Sequence, residues 1–130
     1  MQNFSIETRS RCELLDITAE VRRCVEESGV SNGICTVYCP HTTGAITINE
    51  NADPDVRRDL VMGLGRLAPE DWPWRHSEGN SDAHLKSSLV GASERIIIDE
   101  GELVLGTWQG IYFCEFDGPR RRKVYIQVIG

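Results

Sequence analysis

Two apolar segments, Gly33-Ile-Cys-Thr-Val-Tyr-Cys39 and Ala45-Ile-Thr-Ile-Asn49, decide how the chain folds. Both contain β-branched residues, which favour strands over helices. Pro40 ends the first segment because proline cannot donate a backbone hydrogen bond within a sheet. We therefore predict two β-strands separated by a short polar interval. The first is apolar on both faces and is expected to be central in its sheet.

A helix is predicted before these strands. Apolar residues recur at helical spacing within residues 17–25. Asp16 or Thr18 is available as the N-cap, and Gly29 supplies a natural stop. The predicted helix runs from about Thr18 to Ser28.

A second helix is predicted directly after the second strand. Asp53 is a suitable N-cap, and Pro54 is favoured at the first helical position because its ring fixes a helical φ. Four apolar residues at helical spacing predict the buried stripe of this helix: Val56, Leu60, Leu64 and Leu67.

A third, short helix is predicted in the second half of the chain. Asn80 or Ser81 is available as its N-cap, and Gly91 closes it. Leu85 and Leu89 are expected to face the core.

The rest of the chain is predicted to be β-structure. Phe4–Arg9 alternates as an edge strand does, and Arg95–Asp99 forms a strand that ends in the turn Glu100-Gly101. Gln109–Asp117 and Lys123–Ile129 are predicted to pair as an antiparallel hairpin, because apolar and polar residues alternate in the second of them.

Length and composition predict one domain, residues 1–130. Of the 130 residues 40% are hydrophobic, which suffices for a single core. The expected fold class is α+β, a compact domain with largely antiparallel β-sheets and about three helices.

Hydropathy, net charge and cysteine content indicate where the protein is located and which classes of partner it does not bind. No segment approaches the roughly 18 apolar residues of a membrane span, and the N-terminus lacks a secretory pattern. We expect a cytoplasmic protein that does not act at a membrane. The formal charge of −6 argues against nucleic-acid binding, whose affinity comes from phosphate neutralisation. The five cysteines are an odd number without a C-x-x-C pair, so no disulfide framework is expected.

Three histidines mark the candidate site. His76 and His84 lie in the polar stretch His76-Ser-Glu-Gly-Asn-Ser-Asp-Ala-His-Leu-Lys86, which has too little apolar content to be ordered by burial alone. His41 opens the polar run His41-Thr-Thr-Gly44 after the first predicted strand. We predict that the three imidazoles meet in a metal-binding or catalytic site, with a divalent ion, zinc or magnesium, as the cofactor.

Carboxylates accompany the histidines. Glu50 follows the second strand, and Glu78 and Asp82 are interleaved with two of the histidines. Glu115 shares a strand face with apolar residues, where an ionised carboxylate needs a partner such as a histidine, Lys86 or an arginine.

Hydroxyl groups and cations predict an anion site. Thr42 and Thr43 precede a glycine, and together with Lys86 and Arg120 they supply the donors that a phosphate requires. The cluster Arg120-Arg-Arg-Lys123 has two interpretations, an exposed hairpin turn or a local anion site. No G-x-x-x-x-G-K-[ST] loop, G-x-G-x-x-G motif or G-x-S-x-G elbow is present, which excludes the families that carry them.

Four ordered motifs resemble the YjbQ family. In chain order they are His41-Thr-Thr-Gly-Ala45 with Asn49-Glu50, then Asn80-Ser-Asp-Ala-His-Leu-Lys86, Gly106-Thr-Trp-Gln109 and Glu115-Phe-Asp-Gly-Pro-Arg120. The resemblance spans nearly the whole chain and is weakest between Pro69 and Arg75.

This resemblance implies a compact α+β fold that assembles as a homotrimer, with a polar pocket near the subunit boundaries. Members are commonly described as secondary thiamine-phosphate synthases, which transfer a pyrimidine-methyl group from its diphosphate onto a thiazole phosphate, and their primary role is considered unknown. Carried onto this sequence, the resemblance assigns metal or catalytic roles to His41, His76 and His84. It assigns anion contacts to Thr42, Thr43, Lys86 and Arg120, and acid–base or supporting roles to Glu50 or Glu115.

Several functions remain open at the level of sequence. The first is an enzyme acting on a small phosphorylated substrate, either the transferase or a metal-assisted hydrolase. The second is a non-catalytic module that binds a metal or an inorganic anion in trimer clefts, and the third is an oligomeric scaffold with an incidental pocket. Trp72 and Trp74 have two interpretations, packing against the domain or a partner subunit, or stacking on a ligand.

Overall fold

The computed structural model of the chain describes residues 1–130 and contains eight strands and three helices. In chain order they are β1 (Gln2–Glu7), β2 (Glu13–Asp16), α1 (Thr18–Ser28), β3 (Gly33–Tyr38), β4 (Gly44–Glu50), α2 (Pro54–Leu67), α3 (Ser81–Val90), β5 (Ser93–Asp99), β6 (Glu102–Leu103), β7 (Gln109–Glu115) and β8 (Arg121–Ile129).

The strands form two sheets whose facing sides enclose the main core. One sheet has the order β1-β8-β3-β5-β6 and the other has the order β2-β7-β4, and every pairing is antiparallel. Buried side chains such as Val21, Val37 and Phe113 fill the space between the sheets and α1. A smaller cluster, including Tyr112 and Phe116, lies where α2 and α3 cover the three-stranded sheet. The predicted α+β class, with antiparallel sheets and three helices, is confirmed.

The bounds of α1 agree with the prediction, but its cap differs. The N-cap position is occupied by Ile17, which has no capping side chain. Asp16, the residue before it, accepts the backbone N–H of Thr18 with its carboxylate at 2.9 Å. Gly29 ends the helix with a positive φ of 68°, which glycine adopts without steric cost. None of the three helices is long and apolar enough to cross a membrane.

The start of α2 was predicted correctly and its buried stripe was not. Asp53 caps the helix by accepting the backbone N–H of Asp55 at 2.9 Å. No residue of α2 is fully buried, however. Leu60 and Leu64 are half-buried, and Leu67 is 66% exposed. The chain therefore covers one side of this helix incompletely.

The predicted inward face of α3 is also wrong. Leu89 is 58% exposed, whereas Asp82, Ala83 and Lys86 are buried. Opposite charges on this buried face satisfy one another, so the helix turns a polar face toward the sheet.

The predicted hairpin between Gln109–Asp117 and Lys123–Ile129 does not form. β7 lies between β2 and β4 in one sheet, whereas β8 lies between β1 and β3 in the other. From Gly110 onward every residue of β7 is buried, because one face meets the main core and the other faces the helices. Alternation in β8 indicated a buried face but did not determine which strands pair with it.

The outer face of the five-stranded sheet carries apolar side chains that the chain leaves uncovered. Ile97, Ile34 and Ile129 align across β5, β3 and β8, and the rings of Tyr38 and Tyr125 stack further along the same face at 6.4 Å between centroids. Ile97 and Ile129 are 58% and 68% exposed. We call these five residues the outer sheet patch.

The two tryptophans of the loop before α3 contact each other. Their ring centroids are 5.5 Å apart, and the Trp74 indole N–H donates to the carbonyl oxygen of Pro69 at 3.0 Å. Trp72 remains exposed. This geometry agrees with packing of Trp74 against its own loop.

Candidate functional site

Four strand ends and one helix terminus converge at one end of the sandwich. The C-terminal ends of β1 and β7 meet the N-terminal ends of β8 and β4 there, through the pairs Glu7–Arg121 and Gly44–Glu115. The N-terminus of α3 joins them through a hydrogen bond from Asn80 to the segment after β7. We call this region the polar end.

A buried ion pair, Glu115–Arg122, lies at the centre of the polar end. Arg122 Nε donates to Glu115 Oε1 at 2.8 Å, and its Nη2 donates to Oε2. Thr8 Oγ1 also donates to Oε1 at 2.8 Å, and Arg122 Nη2 reaches Thr43 Oγ1 at 2.9 Å. Burial by itself would raise the pKa of the Glu115 carboxyl. Hydrogen bonds from Arg122, the Asp117 N–H and Thr8 outweigh it and hold the pKa below its ordinary value. The expectation that Glu115 needs a partner is met by an arginine, and the carboxylate is not free to act as a base.

Asp117 links the strands to α3. Its Oδ2 accepts a hydrogen bond from Asn80 Nδ2 at 2.7 Å and one from Arg120 Nη2 at 3.1 Å. The Arg120 side chain is 50% exposed, so this cation of the predicted anion site remains accessible. Asn80 is only 8% exposed, and its Oδ1 is buried without a hydrogen-bond partner.

Lys86 takes part in an internal ion pair and is not an open anion contact. It is buried, and its Nζ donates to Asp82 Oδ2 at 3.1 Å. Arg11 holds the same carboxylate through two hydrogen bonds of 3.1 and 3.0 Å, and its Nε lies 3.2 Å from Glu70 in the loop before α3. A buried ammonium has to be neutralised within the protein, and Asp82 does so for Lys86. The prediction that Lys86 contacts a bound anion is therefore wrong for this chain.

His76 and His84 form a pair beside the N-terminus of α3. Their rings meet edge to face with centroids 5.5 Å apart. His84 lies in the first turn of α3, as predicted, and His76 lies in the preceding loop. His76 Nε2 is 3.7 Å from Glu78 Oε2, and no hydrogen bond within the chain holds either ring. Their nitrogen atoms are therefore available to a ligand.

His41 is held apart from this pair. Its Nε2 accepts the backbone N–H of Lys123 at 2.9 Å, and its ring lies edge-on to Phe113. An acceptor Nε2 places the proton of the neutral ring on Nδ1. Burial, and then the nearby Arg122 guanidinium, lower the pKa of His41. The ring is therefore neutral near pH 7.

The three predicted metal ligands do not form one set within the chain. No group of three or more His, Cys, Asp or Glu side chains is arranged to hold a metal ion. His41 Nε2 is occupied by the β8 backbone, whereas His76 and His84 lie together. Two imidazoles fit a zinc-type ion as a partial site whose other positions are open to oxygen ligands. Within one chain the structure thus brings together two of the three histidines, and both the three-histidine set and the metal stay predictions.

Two other predicted residues lie outside the hydrogen-bonded network. Glu50 is at the far end of β4 from Gly44, six residues or about 20 Å along the strand. Its carbonyl oxygen accepts the Tyr112 hydroxyl at 2.9 Å. Glu50 therefore does not belong to the polar end. Thr42 is exposed at the polar end, with no side-chain hydrogen bond to the chain.

Sequence reasoning missed three residues of the polar end: Arg11, Asp117 and Arg122. A signal for Arg122 was present, because it alternates inward with Val124 and Ile126 on β8 and a buried carboxylate required a cation. No periodic pattern marks Arg11, which lies in the irregular segment between β1 and β2.

The fold and the polar end define an α+β sandwich protein whose candidate site combines a histidine pair, an uncapped helix N-terminus and an accessible arginine. A family model described as UPF0047 protein YjbQ-like matches residues 2–130. The chain belongs to this YjbQ-like UPF0047 family, as the sequence motifs predicted.

Relatives with high identity support the assignment. A UPF0047 protein of Methanocaldococcus jannaschii is 56% identical over 127 residues, which cover 98% of this chain and 92% of that protein. The UPF0047 protein YugU of Bacillus subtilis is 53% identical over 135 residues, which cover 100% of this chain and 99% of that protein. A crystal structure of an uncharacterized YjbQ/UPF0047 family protein from Clostridium acetobutylicum superposes with a TM-score of 0.98 at 54% identity, covering 99% of this chain and 100% of that one. These descriptions establish family and fold and name no activity.

Proposed function

We propose that the polar end binds a small phosphorylated molecule together with a divalent metal ion, and that the protein has thiamine-phosphate synthase-like transferase activity as a secondary function. The observation that carries this proposal is the position of the His76–His84 pair beside the uncapped N-terminus of α3. Imidazole nitrogens are metal ligands, and the N–H groups of a helix N-terminus bind anions. The groups that would bind the metal and those that would bind the phosphate therefore lie next to each other.

The N-terminus of α3 has no side-chain cap, and the one carboxylate in its first turn, Asp82, is neutralised by Arg11 and Lys86. Asn80 stands at the cap position but donates its amide to Asp117, and no side chain caps the first turn. The first N–H groups of a helix and its dipole attract phosphate oxygens. Arg120, held by Asp117 and half-exposed, adds a positive charge to the same region.

Zinc fits the histidine pair better than magnesium does. Imidazole is a good ligand for zinc, whereas magnesium prefers oxygen atoms. His76 and His84 would hold the ion, and oxygen atoms of the phosphorylated ligand and water would fill the remaining positions. The bound metal would neutralise charge on a departing pyrophosphate.

The residues of the polar end suit a transfer that needs little acid–base catalysis. In thiamine-phosphate formation the thiazole nitrogen uses its lone pair to form a C–N bond to the pyrimidine methylene carbon, and the C–O bonding pair leaves with pyrophosphate. The attacking nitrogen carries no proton to be removed, which agrees with a site whose buried carboxylate, Glu115, is held by Arg122. Arg120 and the N–H groups of α3 would stabilise the charge of the leaving group.

A turnover assay with the pyrimidine diphosphate and the thiazole phosphate tests this proposal. We expect metal-dependent formation of thiamine phosphate and pyrophosphate, and Arg120→Met is expected to lower kcat/KM by about 10²–10³-fold. Arg121→Met is the matched control, since Arg121 is a neighbouring exposed arginine whose only carboxylate contact is a 4.0 Å approach to Glu7.

Absence of turnover while zinc and phosphate still bind would contradict the transferase and support a non-catalytic metal- or anion-binding module. The observations that support this second function are the half-exposed Arg120 and the histidine pair, because binding alone needs only these groups.

We also propose that copies of the chain assemble as a homotrimer through the outer sheet patch. An open sheet face with three aligned isoleucines and a tyrosine stack is unusual on a monomer surface and resembles the apolar centre of an interface. Tyr38 is the last residue of β3 and lies shortly before His41, so an interface at this patch would adjoin the polar end.

Ile34→Asp is expected to convert the assembly to monomers, because it places a charge among apolar side chains at the centre of the patch. Light scattering coupled to size exclusion measures the mass. Leu89→Asp on α3 is the matched control, an exposed apolar residue outside the patch that should leave the assembly intact. A monomeric unmodified protein, or dissociation by Leu89→Asp alone, would refute this arrangement.

A further inference from the structure

A groove of about 460 Å³ separates β2 from α2 and plays no part in the polar end. Its volume falls within the range of pockets that hold small organic ligands. Five of the nine residues that line it are hydrophobic. It therefore offers an apolar surface of ligand size on the opposite side of β2 from the main core.

The apolar wall of the groove comes from the incompletely covered side of α2. Val61 and Met62 line the groove, and Met62 is 49% exposed. Leu14 of β2, which belongs to the cluster that Val61 packs against, lines the other side of the groove. No other segment of the chain covers Val61 and Met62, so contact with an apolar molecule would remove them from water.

Arg57 supplies an unpaired cation in the same groove. Its guanidinium lies over the ring of Tyr112, 5.0 Å from the centroid, and one Nη donates to the Tyr112 hydroxyl at 3.3 Å. Its Nε is buried without a hydrogen-bond partner, and it forms no salt bridge. An unpaired buried guanidinium N–H favours binding of an acceptor, above all an anionic one.

The two other charged residues that line the groove differ in their partners, an opposite charge for Arg58 and only backbone N–H groups for Glu13. Arg58 pairs with Asp55 at 3.5 Å. Glu13 accepts the backbone N–H groups of Arg9 and Ser10 at 2.6 and 2.8 Å. Arg57 is therefore the one cation of the lining with no carboxylate within salt-bridge distance, and the carboxylate of Glu13, which no cation neutralises, limits the groove to a ligand with a single negative charge.

We propose that this groove binds an amphipathic monocarboxylic acid, with its apolar body against Val61 and Met62 and its carboxylate on Arg57. The Arg57 guanidinium can hold one carboxylate through charge-assisted hydrogen bonds. A phosphate dianion would leave excess negative charge beside the carboxylates of Glu13 and Asp55. A neutral lipid would leave the Arg57 N–H unpaired.

Labelling of Cys12 tests the proposal on the intact protein. Cys12 lines the groove and is the only one of the five cysteines that is not buried. Its Sγ also contacts Phe116 O at 3.6 Å and Lys86 Nζ at 3.8 Å, so the readout is the change in labelling rate on adding a ligand, not the rate itself. Octanoate is expected to slow labelling saturably, on the order of tenfold at ten times its dissociation constant. Acetate, which lacks the apolar body, and octanol, which lacks the charge, are expected to have little effect at equal concentrations.

Two variants locate the carboxylate. Arg57→Met keeps an apolar side chain over Tyr112 and is expected to abolish protection by octanoate. Arg66→Met, on the last turn of the same helix and outside the groove, should leave protection unchanged. The comparison of octanoate with octanol on the unmodified protein decides the question even if Arg57→Met does not fold.

Equal protection by octanol and octanoate, or no protection by either, would overturn the proposal.

Discussion

Glu115→Gln is expected to lower the free energy of unfolding by about 3–5 kcal/mol, because it leaves the Arg122 guanidinium buried without its counter-charge. The side chains of the two residues are 0% and 3% exposed, so water cannot replace the lost partner. Urea denaturation followed by tryptophan fluorescence measures the change, with an unchanged slope showing that only stability was affected.

The exposed pair Glu7–Arg121 provides the matched control. It lies next to the buried pair, where β1 and β8 pair, its atoms are 4.0 Å apart, and both side chains are more than 70% exposed. Glu7→Gln is therefore expected to cost less than about 1 kcal/mol. Similar losses at the two pairs would contradict the structural role assigned to Glu115.

Acid should weaken the same buried pair. The folded protein holds the pKa of Glu115 below its ordinary value. Its contribution to stability is therefore complete above the pKa of the unfolded chain and is lost as the pH falls through the lower, folded value. The difference in stability between the native protein and Glu115→Gln should accordingly shrink at the acid end of a pH series.

His76→Ala and His84→Ala are each expected to weaken zinc binding by more than about 100-fold. Loss of a residue that only hydrogen-bonds to a metal ligand already lowers metal affinity by roughly 10–100-fold. Each imidazole is proposed to be a ligand itself, so its loss should lower the affinity further. Competition with a chromophoric chelator measures the affinity, and thermal melting shows whether the variants remain folded.

His41→Ala is the control for this pair. Its Nε2 is occupied by the Lys123 N–H, so zinc affinity should be nearly unchanged. An equal loss of affinity in His41→Ala would mean that all three histidines act together and that the two-histidine site is wrong.

Local signals predicted the elements of the fold well. The bounds of α1 follow from helical spacing and from Gly29, and the start of α2 follows from Asp53 and Pro54. These features are decided by residues close in sequence, where backbone preference and capping dominate.

Features that depend on distant partners were predicted poorly. β7 and β8 are adjacent in sequence and lie in different sheets, since burial on both faces of β7 is decided by elements far along the chain. The inward face of α3 carries Asp82 and Lys86 because Arg11, from the irregular segment after β1, completes their charge balance. No local pattern contains that information.

The candidate site was predicted in part. His76 and His84 are brought together as expected, and Glu115 has the kind of partner that its position required. Glu50 was grouped with them because it follows the second predicted strand and belongs to a motif of the family resemblance, yet β4 carries it to the other end of the sandwich.

Long-range ¹H–¹⁵N correlation spectra of the imidazole rings, recorded during a zinc titration, test the central claim most directly, because the chain has only three histidines. We predict that the nitrogen resonances of His76 and His84 shift to values typical of metal-bound imidazole. The spectrum of His41 should keep the pattern of a neutral ring protonated at Nδ1. A shift at His41 with none at the pair, or no shift at any ring while zinc binds elsewhere, would contradict the account.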